Sequence, residues 1–565
     1  MNFRKHILVL LLLAILIAPR LSELDSFVTI DEPFWLSVGA NFYYALGQRE
    51  FENTVFEYHP AVTTMWFVAL ALLVYFPEYR GLGQGYFDVD KNFFDPFLIE
   101  HGKDPMTLLY ISRLLQIAVI ILFALIIFYL LSRLIGEEKA FLITAMTSSA
   151  PFFLGHSRVL SHEAIVAFFV LASILGMMAY LESERKSIYL FISAASAALA
   201  QLTKSSAMAM FPVIALILAV SVFSNKKECG LKSALVDRLK IFGAWFALLA
   251  LAYFILWPGM WVAPGKMLYE VYGNAFSYAF QGARLQVTQQ LQPSQFGIDA
   301  VWGTARSFAT SVASRATIIV WVGATLAFAS FFLRGRGAPS SIERKIILYL
   351  FTAAAMFILL FSLARGRNSA HYIMTSHVSV DMIAALGWGF WLGWLGMHWK
   401  TAAKPAFKIG SVGLILFLQL GSALLFYPYY YNYFNPLVGV SKSDYGEGFE
   451  KAAAYLAQKP DAESLKVLSF RARGPFSYFF PGGTIILNPL FVDEVGMPSM
   501  LERLEQADYL VINDAFGPRT ERTALFVRGL DGVEPEKVIE IHGIYPIRIY
   551  RMTNLPPSFY EMLSK

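Results

Sequence analysis

The sequence predicts an all-α, polytopic membrane protein that ends in a small α/β domain outside the bilayer, and three observations predict it. Of 565 residues, 56% are hydrophobic and 15% charged, with a mean hydropathy of +0.52, outside the balance of a soluble globular chain. Apolar runs of about 17 to 25 residues recur along the first three quarters, the length a helix needs to cross roughly 30 Å of hydrocarbon with its backbone groups paired internally. Past Tyr427 the hydropathy falls. A helical stretch opened by Asp444 and Glu447 runs to about Gln458, and strand-like runs follow at 466–470, 484–487, 509–512 and 538–550.

The first apolar run follows Arg4 and Lys5 in the manner of a signal peptide, but no small-residue cleavage site precedes the acidic stretch near Glu23, so it reads as a retained span. Taken in order, the long runs give eleven spans, near 7–24, 108–133, 139–155, 163–182, 187–203, 205–223, 241–261, 317–333, 346–363, 371–396 and 407–428. The run 61–76 is only as long as the shortest of these, opens after His59-Pro60 and ends at Pro77. Charge decides its placement. If it does not cross, the clusters Lys226, Lys227, Lys232, Arg238 and Lys240, then Arg334, Arg336, Arg344 and Lys345, then Lys400, Lys404 and Lys408 all fall beside Arg4 and Lys5, as the positive-inside rule requires. The run 61–76 is therefore a juxtamembrane or re-entrant helix.

The expected organisation is a transmembrane domain over 1–428, with a first outer loop at 25–107 and a second at 262–316, followed by an extracytoplasmic α/β domain over 429–565. The N-terminus is expected in the cytoplasm. The second loop carries Gln286, Gln289, Gln290, Gln292 and Gln295, polar enough for a solvated cap over a cavity or for a plain connector. A single cysteine, Cys229, excludes an intrachain disulfide and a Cys-based metal site. The formal charge of +5 lies between apolar spans, with no basic, aromatic-studded surface to suit nucleic acid.

Two adjacent carboxylates, Asp31 and Glu32, stand just beyond the first span and against Phe34 and Trp35. Such a position is wet on one side and apolar on the other, and desolvation there would raise a carboxylate toward neutral pH, which suits a general base. The plainer reading is a helix cap, with Asp31 capping a helix that starts at Pro33. Under the topology above, His59, Arg113, Arg158, Glu163, Lys204, Arg365 and Arg367 all lie on the same side as this pair. Snorkelling at span ends explains any one of them, but ionisable groups gathered at membrane depth mark a functional cavity, and the basic ones suit a phosphate. Cations that stabilise a departing phosphate make a general acid unnecessary. One carboxylate that accepts the proton of an acceptor hydroxyl is then sufficient, and attack from the opposite face inverts the anomeric centre.

The order of these motifs resembles the GT-C glycosyltransferases, most closely the protein O-mannosyltransferase and lipid A aminoarabinose transferase group. The residues that carry the resemblance are Asp31-Glu32, Tyr58-His59-Pro60, Ser112-Arg113, the stretch from Ser157-Arg158 to Glu163, and Thr203-Lys204. Tyr433-Phe434-Asn435-Pro436 and Asp444-Tyr445-Gly446-Glu447-Gly448 resemble a juncture that follows the last span in bacterial and archaeal relatives. The resemblance implies Asp31 as the base that activates the acceptor and Glu32 as a residue that helps place it. It implies Arg113, Arg158 and Lys204 as donor-phosphate ligands, with His59 and Glu163 in support. It further implies a polyprenyl-phosphate-linked sugar donor, a lipid, glycan or protein acceptor, and a place in a prokaryotic cell membrane with the catalytic face outward. Three positions depart from the group's pattern: Ala61 for a second proline, Glu163 for an aspartate and Tyr445 for a tryptophan. The 262–316 loop is too short for the β-trefoil insert of eukaryotic members, so a protein acceptor is not implied.

The sequence names no cofactor, and a divalent metal is compatible with this chemistry. His59, His101, Asp95 and Glu100 contain ligand atoms at a spacing better suited to surface loop residues than to a metal site. Two other classes compete: a transporter or lipid flippase that uses the same cations as a pathway, and a scaffold or receptor in which Asp31 only caps a helix. Transporters place ionisable groups near the midplane of broken helices, whereas here they collect at one end of the spans.

Overall fold

A computed structural model describes residues 3–56, 60–183, 185–280, 297–333, 338–364, 369–439, 444–487, 496–517, 521–543 and 546–563. The chain forms two compact units, one of Met1–Ser22, Val38–Tyr86 and Ile111–Ser441, the other of Glu23–Ser37, Phe87–Tyr110 and Lys442–Lys565.

Among the described residues, seven helices are long and apolar enough to cross a membrane: Pro105–Ile135, Glu163–Glu182, Ser205–Ser224, Leu231–Leu256, Ser341–Leu363, Ala370–His398 and Pro405–Leu424. An eighth is added if Ile298–Arg315 and Ile318–Ser330, bent by 112°, form one span. Helix occupies the other three expected spans as well, each with a feature that sets it apart. Phe3–Leu21 carries Arg4, Lys5 and Arg20. The expected 139–155 span is broken into Glu137–Ser148 and Pro151–His156, with the proline at the first helical position where its missing N–H costs nothing. Ser187–Thr203 has only 17 residues, about 26 Å of helix. The 61–76 run forms Val62–Tyr75, 14 residues long. At about 21 Å it falls short of the roughly 30 Å hydrocarbon layer.

The ion pairs of the first unit sort its helix ends into two groups. Lys139 pairs with Glu343, Lys345 with Glu182 at 2.5 Å and Arg185 with Asp237 at 2.9 Å, which joins the starts of Glu137–Ser148, Ser341–Leu363 and Leu231–Leu256 to the end of Glu163–Glu182. At the other group of ends, Lys204 after Ser187–Thr203 meets Glu163 at the start of Glu163–Glu182, at 2.8 Å. There too the Val62–Tyr75 helix is anchored. Ala61 N donates to Thr203 O at 3.3 Å, Thr63 and Thr203 hydroxyls lie 2.8 Å apart, and Trp66 Nε1 donates to Leu256 O at 2.9 Å. The short helix therefore lies at the end of the bundle that also holds Lys204 and Glu163.

Between the ends the helices pack through small residues, as expected where lipid tails supply no hydrophobic drive for association. Gly387 on Met374–His398 faces Gly323 on Ile318–Ser330, and a Cβ at Gly387 would run into the Gly323 carbonyl. Large apolar side chains such as Leu122, Phe246, Phe351 and Phe417 point outward, the pattern of a lipid-facing surface.

The second expected loop is largely helical where it is described, with Gly259–Val262, Pro264–Leu268, Asn274–Phe280 and Ile298–Arg315. Its glutamine-rich stretch, Gln286 to Gln295, lies outside the described residues. Thr317 ends the bend by capping the next helix: its hydroxyl accepts from Val320 N at 3.2 Å and donates to Gln419 Oε1 at 2.5 Å.

The second unit is α/β. Five strands, β1 (Lys466–Ser469), β2 (Gly483–Ile486), β3 (Tyr509–Asn513), β4 (Lys537–Ile539) and β5 (Ile547–Arg551), form one sheet in the order β2-β1-β3-β5-β4. β1 runs parallel to β2 and β3, and β5 runs antiparallel to β3 and β4. The expected 538–550 run is two strands, because His542 and Gly543 take positive φ and turn the chain between them. The Phe449–Ala457 helix buries Phe449 and Leu456 in one core with Val467, Leu468, Leu510 and Ile549, and because β3 is buried at every position both faces of the sheet are covered.

Gly387→Leu should overpack the Gly323 contact and cost about 1–3 kcal/mol, lowering the melting temperature of the detergent-solubilised protein. Gly393→Leu, on the same helix with open space beside it, should not lower it.

Candidate functional site

In the first unit, Lys204 Nζ lies 2.8 Å from Glu163 Oε1, and His371 Nε2 lies 4.0 Å from the same oxygen. The Lys204 ammonium also stands 4.6 Å from the Tyr372 ring centre, a cation over an aromatic face. His156 is 5.7 Å from both the His371 and Tyr431 rings. Arg315 Nη1 donates to Tyr431 O at 2.6 Å and its guanidinium sits 4.3 Å over Phe152. The helix starts and ends position these groups. Glu163 opens one helix, Lys204 closes another, and Asn435, whose N and Nδ2 donate to Ser314 O at 2.6 Å and Ala316 O at 2.9 Å, holds the turn after Arg315.

Arg158 and Arg113 are each 1% exposed. Arg158 Nη1 donates to Pro428 O at 3.3 Å and Nη2 to Ser22 O, with the guanidinium 5.4 Å from the Tyr430 ring. Gln116 Nε2 donates to Val159 O at 2.6 Å, which ties the N-terminal half of Pro105–Ile135 to the Arg158 segment. The Arg113 charge acts on Arg158. Arg113, Arg158, Lys204 and Arg315 are thus buried cations at one end of this unit, with Glu163 among them. Such a gathering creates a positive potential in low dielectric, where it acts most strongly on an anion.

In the second unit, the acidic pair divides into two environments. Glu32 is fully buried, and its Oε2 accepts from Thr29 N at 2.7 Å and Thr29 Oγ1 at 3.0 Å. Asp31 is exposed. The helix begins at Glu32, one residue before the expected start at Pro33, which puts Asp31 at the N-cap position with its carbonyl accepting from Trp35 N at 3.1 Å, while Glu32 returns its carboxylate to the Thr29 N–H. The burial expected from the neighbouring aromatics therefore falls on Glu32 and leaves Asp31 open to solvent. Ile30 N donates to Tyr445 O at 3.0 Å, so the segment carrying the pair is held by the Asp444–Gly448 stretch. There Glu447 is buried, its Oε2 accepting from Tyr445 N at 2.8 Å, and Asp444 pairs with Arg471 at 2.7 Å.

Of the residues expected at the site, Glu163 and Lys204 meet directly, Arg113 and Arg158 share their end of the first unit, and Asp31 and Glu32 belong to the second. His59, Arg365 and Arg367 lie outside the described residues. Asp95 is not a loop surface residue: it is 4% exposed, with Arg473 Nε at 3.1 Å and Tyr478 Oη at 3.2 Å. Burial pushes its carboxyl above the usual range against the pull of both partners. Among the described residues no group of three or more His, Cys, Asp or Glu is arranged to hold a metal ion. The sequence reading missed His156, His371, His377, Arg315 and Asp381, all buried or nearly so. The signal was available in the polar letters at span boundaries, since His156 and His162 flank Arg158 and His371 and His377 open the Ala370–His398 span.

Two outcomes follow. Glu163→Gln leaves the buried Lys204 charge without its carboxylate and should cost about 3–5 kcal/mol; adding Lys204→Met should recover much of this loss in thermal melts. Burial, then repulsion from Asp444, pushes Glu447 up to about 8, from a usual value of 4.5. The raised value means the folded unit keeps this proton after the unfolded chain has released it. Its stabilisation is therefore complete below about pH 4.5 and lost as pH rises through about 8. Glu447→Gln should flatten the decline in melting temperature between pH 5 and 8.

Comparison with known proteins gives a partial match. Residues 110–257 match the family described as dolichyl-phosphate-mannose-protein mannosyltransferase, and the resemblance read from the motifs holds over that segment. No curated protein matches the chain in sequence. Among solved structures, the chain is similar to ArnT from Cupriavidus metallidurans bound to undecaprenyl phosphate, at 12% identity and a TM-score of 0.46, over 97% of this chain and 99% of that one. It is also similar to the archaeal oligosaccharyltransferase AglB from Archaeoglobus fulgidus, in complex with an inhibitory peptide and a dolichol phosphate, at 11% identity and 0.44, over 90% and 69%. For the S. cerevisiae protein O-mannosyltransferase Pmt1-Pmt2 complex bound to the sugar donor, the values are 16% and 0.36, over 52% and 38%.

Proposed function

We propose that this membrane chain, whose residues 110–257 match the mannosyltransferase family, is a glycosyltransferase that moves a sugar from a polyprenyl-phosphate-linked donor to an acceptor hydroxyl. The observation that carries this reading is the set of buried cations, Arg113, Arg158, Lys204 and Arg315, gathered at one end of the first unit. Their combined field favours a bound phosphate and, more strongly, the charge that develops on it as the sugar leaves.

In the reaction the acceptor oxygen attacks the anomeric carbon, the bond from that carbon to the phosphate oxygen breaks with its electron pair, and polyprenyl phosphate departs. Asp31, exposed at the start of its helix, accepts the acceptor's proton. Glu32, held by Thr29, fixes the start of the helix beside it. Attack from the face opposite the phosphate inverts the anomeric centre. Arg113, Arg158 and Lys204 hold the donor phosphate, Glu163 orients Lys204, and His59 assists. The acceptor is a lipid, glycan or protein, and the reaction takes place on the outer face of a cell membrane. A divalent metal at the phosphate is compatible with this reaction.

Asp31→Asn keeps the size of the side chain and removes the base. With radiolabelled dolichyl-phosphate mannose, and the corresponding hexosyl and pentosyl polyprenyl phosphates, as donors, transfer should fall by about 10²- to 10⁴-fold with the melting temperature unchanged. Transfer at the wild-type rate by a folded Asp31→Asn protein overturns the assignment.

A further inference from the structure

We infer that Arg473 is a positioning residue for the acidic pair, acting through the backbone that carries Asp31 and Glu32; this rests on Asp31 being the base. Arg473 Nη2 donates to Pro33 O at 3.1 Å and to Ser37 Oγ at 2.5 Å, Nη1 donates to Val89 O at 3.0 Å, and Nε donates to Asp95 Oδ2 at 3.1 Å. One guanidinium thus spans three segments of the second unit, a task suited to a planar fork with five donors. Asp95 is itself fixed by the Tyr478 hydroxyl at 3.2 Å. Pro33 lies in the first turn of the helix that begins at Glu32 and Ser37 in the second, joined by Ser37 Oγ donating to Pro33 O at 3.1 Å, so a group held on both oxygens sets the direction in which the helix leaves Asp31.

A second observation brings the same segments together. Gly474 follows Arg473 with φ of 85°, and a Cβ there would collide with Pro33 and approach Val28 to 3.0 Å. Gly446, with φ of 98°, would bring a Cβ within 3.3 Å of Ile30 and 2.7 Å of Pro475. Gly474 permits an approach to Pro33 that no side chain would allow, and Gly446 a tight one to Ile30. The Ile30 to Tyr445 hydrogen bond completes the clasp. Arg473 touches neither reacting carboxylate. Its effect on the reaction is geometric, where a misplacement near 1 Å lowers rates by about 10²-fold.

The test compares Arg473→Lys, Ser37→Ala and the double variant with Asp31→Asn in full-length protein, using the dolichyl-phosphate mannose assay or whichever donor of that panel the wild type uses. Arg473→Lys keeps a positive charge near Asp95 and loses the fork; kcat should fall by about 10- to 100-fold, with the donor KM within threefold of wild type. Ser37→Ala removes one hydroxyl from the clasp and should lower kcat by a smaller factor in the wild type and by none in the Arg473→Lys background, the non-additivity of a shared link. A folded Arg473→Lys protein with unchanged kcat, or a Ser37→Ala effect of equal size in both backgrounds, overturns the inference while a dead Asp31→Asn protein leaves the proposed function standing. If Arg473→Lys fails to fold, Ser37→Ala alone decides, and an unchanged kcat overturns the inference. An active Asp31→Asn protein removes the base itself and both readings with it.

Discussion

Taking a charge out of water into hydrocarbon costs several kcal/mol even after relaxation, and the ionisable side chains of the first unit are arranged accordingly. Lys139, Glu343, Lys345 and Glu182 neutralise one another at one group of helix ends. Glu163, Lys204 and His371 meet at the other. The two groups differ in kind. The first consists of partly exposed pairs between neighbouring helices. The second is buried deeper, ringed by Tyr372, Tyr431 and Phe152, and carries more cations than a structural pair needs. Aromatic walls around such charges lower the local dielectric and strengthen their action on a ligand.

Much of this organisation was legible in the sequence because the bilayer imposes a length and a charge rule on every span. Lysine and arginine counts lead to the expectation that the 61–76 run is a juxtamembrane or re-entrant helix, and the run forms a 14-residue helix held to Thr203. The α/β character of the C-terminal segment was equally readable from alternating strands. The division of the acidic pair was not. Asp31 and Glu32 are adjacent letters with the same chemistry, and nothing in the sequence says that Glu32 turns back to Thr29 and is buried while Asp31 stays exposed at the helix start.

Contacts between residues distant in sequence were also illegible. His156, His371 and Arg315 fall in three separate stretches, and no local periodicity announces that their rings and charges converge. The same holds for Asp95, which sits among loop-like residues but is buried by Arg473 and Tyr478. A buried carboxylate in a segment of low hydropathy is invisible to composition, because its partners lie nearly four hundred positions away.

That separation has a consequence for how the protein is made. Ser37 and Arg473 are 436 residues apart, and a ribosome adding roughly 5–20 residues per second delivers the guanidinium tens of seconds after the helix start it secures. During that interval the segment bearing Asp31 exists without its clasp. The acidic pair thus acquires its set geometry only near the end of synthesis, when the last strands of the sheet are available to fold around Arg473.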